Sequence, residues 1–222
     1  MNIRNINNLH MDFSFFISSI PKLREIILPG LEAQIKMASL NRNLMIQIRK
    51  TSNLYANRAS VLICIYKNNF GRACFALIKR ADDNSVHSGQ ISLPGGRSEK
   101  FDNSGWFTAT RETEEEIGLN KNELNFIKEL SSIYIPPSNF IVFPYLGIYD
   151  KIPSFQIDKK EVKKVFSVSL ETLLDKKSTV KIDINNSYMN ERGIPAFNFD
   201  GNIVWGATAM ILSEFKFLLK EL

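Results

Sequence analysis

The run Val61-Leu62-Ile63-Cys64-Ile65-Tyr66 constrains the fold of this chain more than any other segment. It is apolar without alternation and rich in β-branched residues, the signature of a strand buried on both faces. Such a strand needs a layer of structure above and below it. Asn68-Asn69-Phe70-Gly71 then reads as a turn, and Ala73–Ile78 as a second strand closing a hairpin. Further strands are predicted over residues 124–133, 142–149, 162–168, 180–184 and 196–199. Ser104 to Ile117 reads as a helix stopped by Gly118, and Ala207 to Leu219 as a terminal amphipathic helix. A strand-rich middle flanked by a few helices predicts an α/β protein, a sheet sandwiched between helices.

Residues 1–50 read as an N-terminal arm, and residues 51–222 as the main domain. Met1–Met11 is polar and Asn-rich, and Met11 is an alternative start. Leu23–Ile27 and Leu31–Met37 have helical spacing interrupted by Pro29-Gly30, and Pro21 fits the first turn of a short helix. Apolar residues make up 44% of the 222 and charged residues 23%, which suits a globular protein and excludes collagen-like or disordered chains. No apolar stretch reaches the roughly 18 residues that span a bilayer. Cys64 and Cys74 sit in apolar runs and read as core residues of a reducing compartment, so a cytoplasmic protein is expected. The net charge of +5 suits an anionic partner. Basic residues are not interleaved with aromatics, so no nucleic acid polymer is indicated.

The chemistry is concentrated in Arg111-Glu112-Thr113-Glu114-Glu115-Glu116-Ile117-Gly118-Leu119. On a helix, Trp106, Ala109, Thr110, Thr113 and Ile117 form the core stripe, while Glu112, Glu115 and Glu116 cluster on the opposite side. Carboxylates at i,i+4 repel, and here they stand at the helix end that is already negative. Each such misplacement costs roughly 0.3–1 kcal/mol. A hard divalent cation, Mg²⁺ or Mn²⁺, resolves the conflict, since it takes oxygen ligands from two or three carboxylates. A solvated acidic face is the alternative. The pair Gly95-Gly96 upstream weighs against it, because glycines let backbone carbonyls approach a ligand closely.

With these residues in place, Gly96–Leu119 resembles the Nudix box, G-x5-E-x7-R-E-U-x-E-E-x-G-U. Arg111, Glu112, Glu115, Glu116, Gly118 and Leu119 match, and Thr113 stands at the first U. Gly96 to Arg111 is one residue longer than the common box, and Asp102 or Glu99 substitutes for the early glutamate. That extension is a feature of the coenzyme A-cleaving branch. A second signature of the branch, L-L-T-x-R-[SA]-x3-R-x3-G-x3-F-P-G-G, is similar to residues 76–96. Arg80, Ala81, Gly89, Pro94, Gly95 and Gly96 match; Ser85 replaces the second Arg and Leu93 the Phe. Pro29–Ala33 and Trp205–Ala209 also look like the bacterial coenzyme A pyrophosphatases, and the likeness extends over roughly residues 21–220.

The resemblance implies a Nudix-type α/β/α sandwich with a mixed β-sheet. It implies hydrolysis of the pyrophosphate bond of coenzyme A or acyl-CoA, giving phosphopantetheine and adenosine bisphosphate. Glu112, Glu115, Glu116 and the Gly96 carbonyl become metal ligands. Glu115, Glu116 and Arg111 become catalytic, with Arg111 holding a glutamate in position. Arg80, His87 and Gly95 become substrate contacts. The proton acceptor is open among Glu112, Glu115 and Glu161. The partner is a small nucleoside diphosphate-linked molecule; dimerisation follows by analogy. Two alternatives stand beside this reading. One is hydrolysis of ADP-ribose, dinucleotides or nucleoside triphosphates, and the other a Nudix-fold binding module without turnover.

Overall fold

A computed structural model describes residues 11–39, 56–82, 88–185 and 190–222. Helix α1 spans Phe13–Glu25 and α2 Leu31–Gln34, followed by a 3-10 turn at Ile35–Met37. Then come β1 (Asn57–Lys67), β2 (Ala73–Arg80), β3 (Ile91–Ser92), β4 (Gly95–Arg97) and helix α3 (Gly105–Ile117). The chain continues through β5 (Leu124–Glu129), β6 (Ile133–Ile135), β7 (Phe140–Tyr149) and β8 (Val162–Ser169) to a short helix, α4 (Leu170–Leu174). It ends with β9 (Thr179–Asn185), β10 (Asn190–Phe199), β11 (Asn202–Val204) and helix α5 (Gly206–Lys220).

Eight strands form one mixed sheet, in the order β3-β2-β1-β7-β5, with β4 on β1, β6 on β7 and β8 on β2. The β1–β7 pairing is parallel and the other pairings are antiparallel. The apolar run sits in the middle of this sheet and is covered on both sides. Leu62, Cys64 and Tyr66 enter the core under α3, with Ala109 and Ile117. Ile63 and Ile65 enter the opposite core, with Phe16 of α1 and Phe215 of α5. The strands expected at residues 180–184 and 196–199 leave this sheet and form a separate three-stranded one, β11-β10-β9. The described part of the N-terminal segment packs into the second core through Met11, Phe13, Phe16, Leu23 and Met37.

Two expectations are corrected. The single strand predicted over residues 124–133 is two strands, with Leu130 to Ser132 leaving the ladder between them. Pro144 explains the break. Its carbonyl faces this side of β7 and accepts from Leu130 N at 2.9 Å, so the amide it lacks would have faced the same way. Pro21 lies inside α1 rather than in a first turn. The helix starts earlier because the Asp12 carboxylate caps Phe15 N at 2.7 Å. The hairpin, the helix with its Gly118 stop (φ 74°) and the terminal helix stand as expected, with Ser104 capping the helix rather than opening it. Cys64 and Cys74 are buried free thiols, and burial pushes Cys74 up to about 11. Among the described residues no helix is long and apolar enough to cross a membrane.

A buried carboxylate ties the ends of the chain together. Glu214 of α5 is fully buried and accepts from Gly30 N at 3.1 Å, Ser131 N at 3.1 Å and Gln34 Nε2 at 3.2 Å. Replacing it leaves three inward-pointing donors, each costing about 1–3 kcal/mol if unsatisfied. Glu214→Leu is therefore expected to lower the unfolding free energy by at least about 3 kcal/mol. Urea denaturation should show a lower midpoint with an unchanged slope, and Glu214→Gln should fall between the two.

Candidate active site

The site forms where α3 lies against β4. Its sequence selects a helix that can lie this close: Ser104 caps Phe107 N at 3.1 Å, small Thr and Ala residues face the sheet, and Gly118 turns the chain away. Gly95 and Gly96 make the approach possible. A Cβ on Gly95 would lie 2.3 Å from Ser60 O, and one on Gly96 2.3 Å from Glu112 Oε2. Gly95 also sits at φ 143°, a conformation L side chains rarely adopt. A larger residue at position 95 would collide with the β1 backbone, and one at position 96 would displace the Glu112 carboxylate.

Glu116 is the most unusual group. It is 1% exposed, accepts from Gly95 N at 2.8 Å, and has Arg80 Nη1 at 3.6 Å. Burial pushes its pKa up to about 8, and the nearby Glu112 and Glu161 add to the rise against the Gly95 amide and Arg80. Burial likewise raises Glu112, opposed by Arg111 and reinforced by Glu115 and Glu161. Two neighbouring carboxylates of one helix are thus both raised, chiefly by burial. The helical wheel put Glu116 on the outer side; the structure turns it inward, under the Gly95 loop.

Arg111, almost fully buried, organises the rest. Its Nε and Nη2 donate to Asp102 Oδ1 and Oδ2 at 3.1 and 3.0 Å, and Nη2 also reaches Arg97 O at 3.2 Å. Its remaining contacts are Glu112 Oε1 at 2.9 Å and Glu115 Oε2 at 2.8 Å. The hydrogen bonds it donates to Asp102, the largest cause, hold the guanidinium firmly protonated. Burial works to raise Asp102, but Arg111, the Glu99 amide and Thr108 hold it below the usual carboxylate range. The structure therefore decides between Asp102 and Glu99: Asp102 carries the arginine, and Glu99 contributes its backbone N–H to Asp102 at 2.9 Å. Glu114 points away to Lys121 at 2.8 Å, so Arg111 does not face four glutamates alone.

The predicted site residues Gly95, Gly96, Arg80, Arg111, Glu112, Glu115 and Glu116 are brought together; His87 and Ser85 lie outside the described residues. As they stand, no three His, Cys, Asp or Glu residues among those described are gathered as a metal cage. Glu115 is 57% exposed and turned to Arg111. The donor set nevertheless fits a hard divalent ion. It is all oxygen, and Glu116 is a buried acid that its surroundings leave short of positive charge. Sequence reasoning underrated Arg80 as a partner of Glu116, because the two are joined only by the fold.

The NUDIX domain family matches residues 56–186. The chain belongs to the Nudix family. It is 34% identical over 167 residues to "Nudix hydrolase 15, mitochondrial" of Arabidopsis thaliana, covering 70% of this chain and 56% of that protein. It is 29% identical over 155 residues to "Uncharacterized Nudix hydrolase NudL" of Yersinia pestis, covering 70% of this chain and 76% of that one. The chain spans about half the length of the Arabidopsis relatives it matches. Among solved structures, a MutT/nudix family protein from Enterococcus faecalis has the same fold at TM-score 0.50 and 14% identity, covering 88% of this chain and 76% of that one.

The raised pKa of Glu116 has a measurable sign. Between about 4.5 and about 8 the folded, metal-free protein keeps a proton that the unfolded chain releases. Its stability is thus expected to fall as pH rises through that window, by up to about 1.4 kcal/mol per pH unit, and to level off above it. Chemical denaturation of the metal-free protein should give this slope, and Glu116→Gln should flatten it.

Proposed function

We propose that this Nudix chain is a divalent-metal-dependent pyrophosphohydrolase that cleaves coenzyme A or acyl-CoA to phosphopantetheine and adenosine bisphosphate. The observation that carries the reading is the buried Glu116 carboxylate, held by Gly95 N–H with Glu112 one helical turn away against Gly96. Glu112, Glu115, Glu116 and the Gly96 carbonyl would hold Mg²⁺ or Mn²⁺. When bound, such an ion neutralises the diphosphate and lowers the pKa of water.

This chain's own residues do the rest. Gly95 and Gly96 shape the floor on which the diphosphate lies. Arg80, partly exposed at the end of β2, turns from Glu116 to the substrate phosphates. Arg111 positions Glu112 and Glu115 and is itself fixed by Asp102. The proton of the attacking water passes to a carboxylate of the cluster, Glu112, Glu115 or Glu161. The coenzyme A assignment is supported by the resemblance of residues 76–96, with His87 as a further substrate contact. A cytoplasmic address and a homodimer belong to the same proposal. Ser85, standing where the signature has its second arginine, favours a second reading in which the substrate is ADP-ribose, a dinucleotide or a nucleoside triphosphate.

The deciding experiment incubates the protein with coenzyme A, ADP-ribose, a dinucleoside polyphosphate and ATP in Mg²⁺ and in Mn²⁺, with products resolved by chromatography. Phosphopantetheine and adenosine bisphosphate are expected, and should disappear with EDTA or in Glu116→Gln. Turnover of another substrate alone would replace coenzyme A by the second reading. Asp102→Ala, which frees Arg111 without touching a proposed ligand, is expected to cost about 10–100-fold in metal affinity or activity. Metal titration of the variant would check it.

A further inference from the structure

Among the described residues, the α3 side of the large sheet is not covered along its whole length. Leu62, Cys64 and Tyr66 of β1 and Phe143, Tyr145 and Tyr149 of β7 face α3. Parallel pairing sets Leu62 opposite Tyr145, Ser60 opposite Phe143, and Arg58 opposite Ile141. The helix begins over the middle of this series: a Cβ on Gly105 would lie 2.3 Å from Tyr145 Oη and 3.0 Å from Ser60 Oγ. The strands run on past that point. Phe143 stands at the helix start, and beyond it the same face presents Arg58 and Ile141, joined by Tyr134 of β6, whose register partner is Ile141.

This ledge has a defined chemistry. Arg58 is exposed, and its Cζ lies 4.3 Å from the centroid of the Phe143 ring. Among the described residues no carboxylate forms an ion pair with it. An exposed guanidinium seated on a ring, with no carboxylate among the described residues to hold it, is one half of a stack. Planar heteroaromatic bases form the other half, because the guanidinium offers both a flat surface and a positive charge. A solvated arginine on an edge would need no ring beneath it.

The distance from the ledge to the carboxylates suits the same ligand. Gly96 pairs with Ser60 across β1, and Glu112 touches Gly96. Arg58 is two residues from Ser60, so it stands roughly 7 Å along β1 and about 5 Å across from Gly96. That span is the reach from the 5′-phosphate of a nucleotide to its base.

We propose that Arg58, stacked on Phe143 and flanked by Tyr134, seats the planar base of a nucleoside 5′-phosphate. The placement of the phosphate rests on the diphosphate reading above. The base seat itself is tested by binding, without turnover.

The experiment is calorimetric titration of the full chain with AMP, adenosine 3′,5′-bisphosphate and ribose 5-phosphate in Mg²⁺. The proteins are wild type, Arg58→Ala and Arg58→Lys, with Phe143→Leu as a second probe of the stack. Arg58→Ala is expected to weaken both adenine ligands about 5–150-fold, from the range for loss of one base–side-chain stack. Arg58→Lys is expected not to restore them, and ribose 5-phosphate should bind all forms alike. The proposal is overturned if wild type binds no AMP, if Arg58→Ala binds it like wild type, or if Arg58→Lys restores binding. It is also overturned if ribose 5-phosphate loses as much as AMP, since Arg58 would then be holding phosphate. Arg58-dependent AMP binding by a protein that hydrolyses no diphosphate would keep the base seat and remove the diphosphate reading.

Discussion

The structure is organised around one carboxylate placed where a carboxylate is costly. Glu116 is buried against the backbone of Gly95 and faces Glu112 and Glu161, with a single arginine at 3.6 Å to offset them. Removing an ionised carboxylate from water costs several kcal/mol unless it is paired or ligated. The Gly95 amide and Arg80 meet only part of that cost, which is why the acid holds its proton to about pH 8. Nearby features of the site support this placement. The two glycines allow the close approach, the Ser104 cap and Gly118 stop fix the length of α3, and β1 supplies a rigid floor buried from both sides.

A second layer keeps the site oriented. Arg111 uses Nε, Nη1 and Nη2, and Asp102 occupies two of them with a bidentate grip. The guanidinium plane is thereby fixed before Glu112 and Glu115 make contact. Thr108 Oγ1, 2.9 Å from Asp102, extends the same network one turn back along α3. The carboxylates are thus held at the helix end by an arginine anchored to the loop that leads into the helix.

Much of this was legible in the sequence. The apolar run announced a two-sided sheet. The Ser104-to-Gly118 segment carried both its cap and its stop, and the Arg-Glu-x-x-Glu-Glu pattern located the site. What was not legible depends on contacts between distant segments. The helical wheel exposed Glu116 because nothing local signals that the Gly95 loop folds over it. Arg80 meets Glu116 only because β2 and α3 meet at one end of the sheet. The strand over residues 124–133 looked continuous because the residue that interrupts it, Pro144, lies on the neighbouring strand. The early start of α1 was signalled by Asp12, but Pro21 drew the boundary to itself.

The Glu214 knot bears on how the chain acquires its shape during synthesis. Gly30 and Gln34 bond to a side chain 184 and 180 residues further on. The N-terminal helices therefore have no polar anchor on α5 until the ribosome has made that later helix. Until then Phe16, Leu23 and Met37, which also pack into that core, lack the α5 side of it. The central strands and α3 are made much earlier and can assemble without that anchor. Apolar surface left uncovered until α5 docks is the kind that promotes self-association during synthesis.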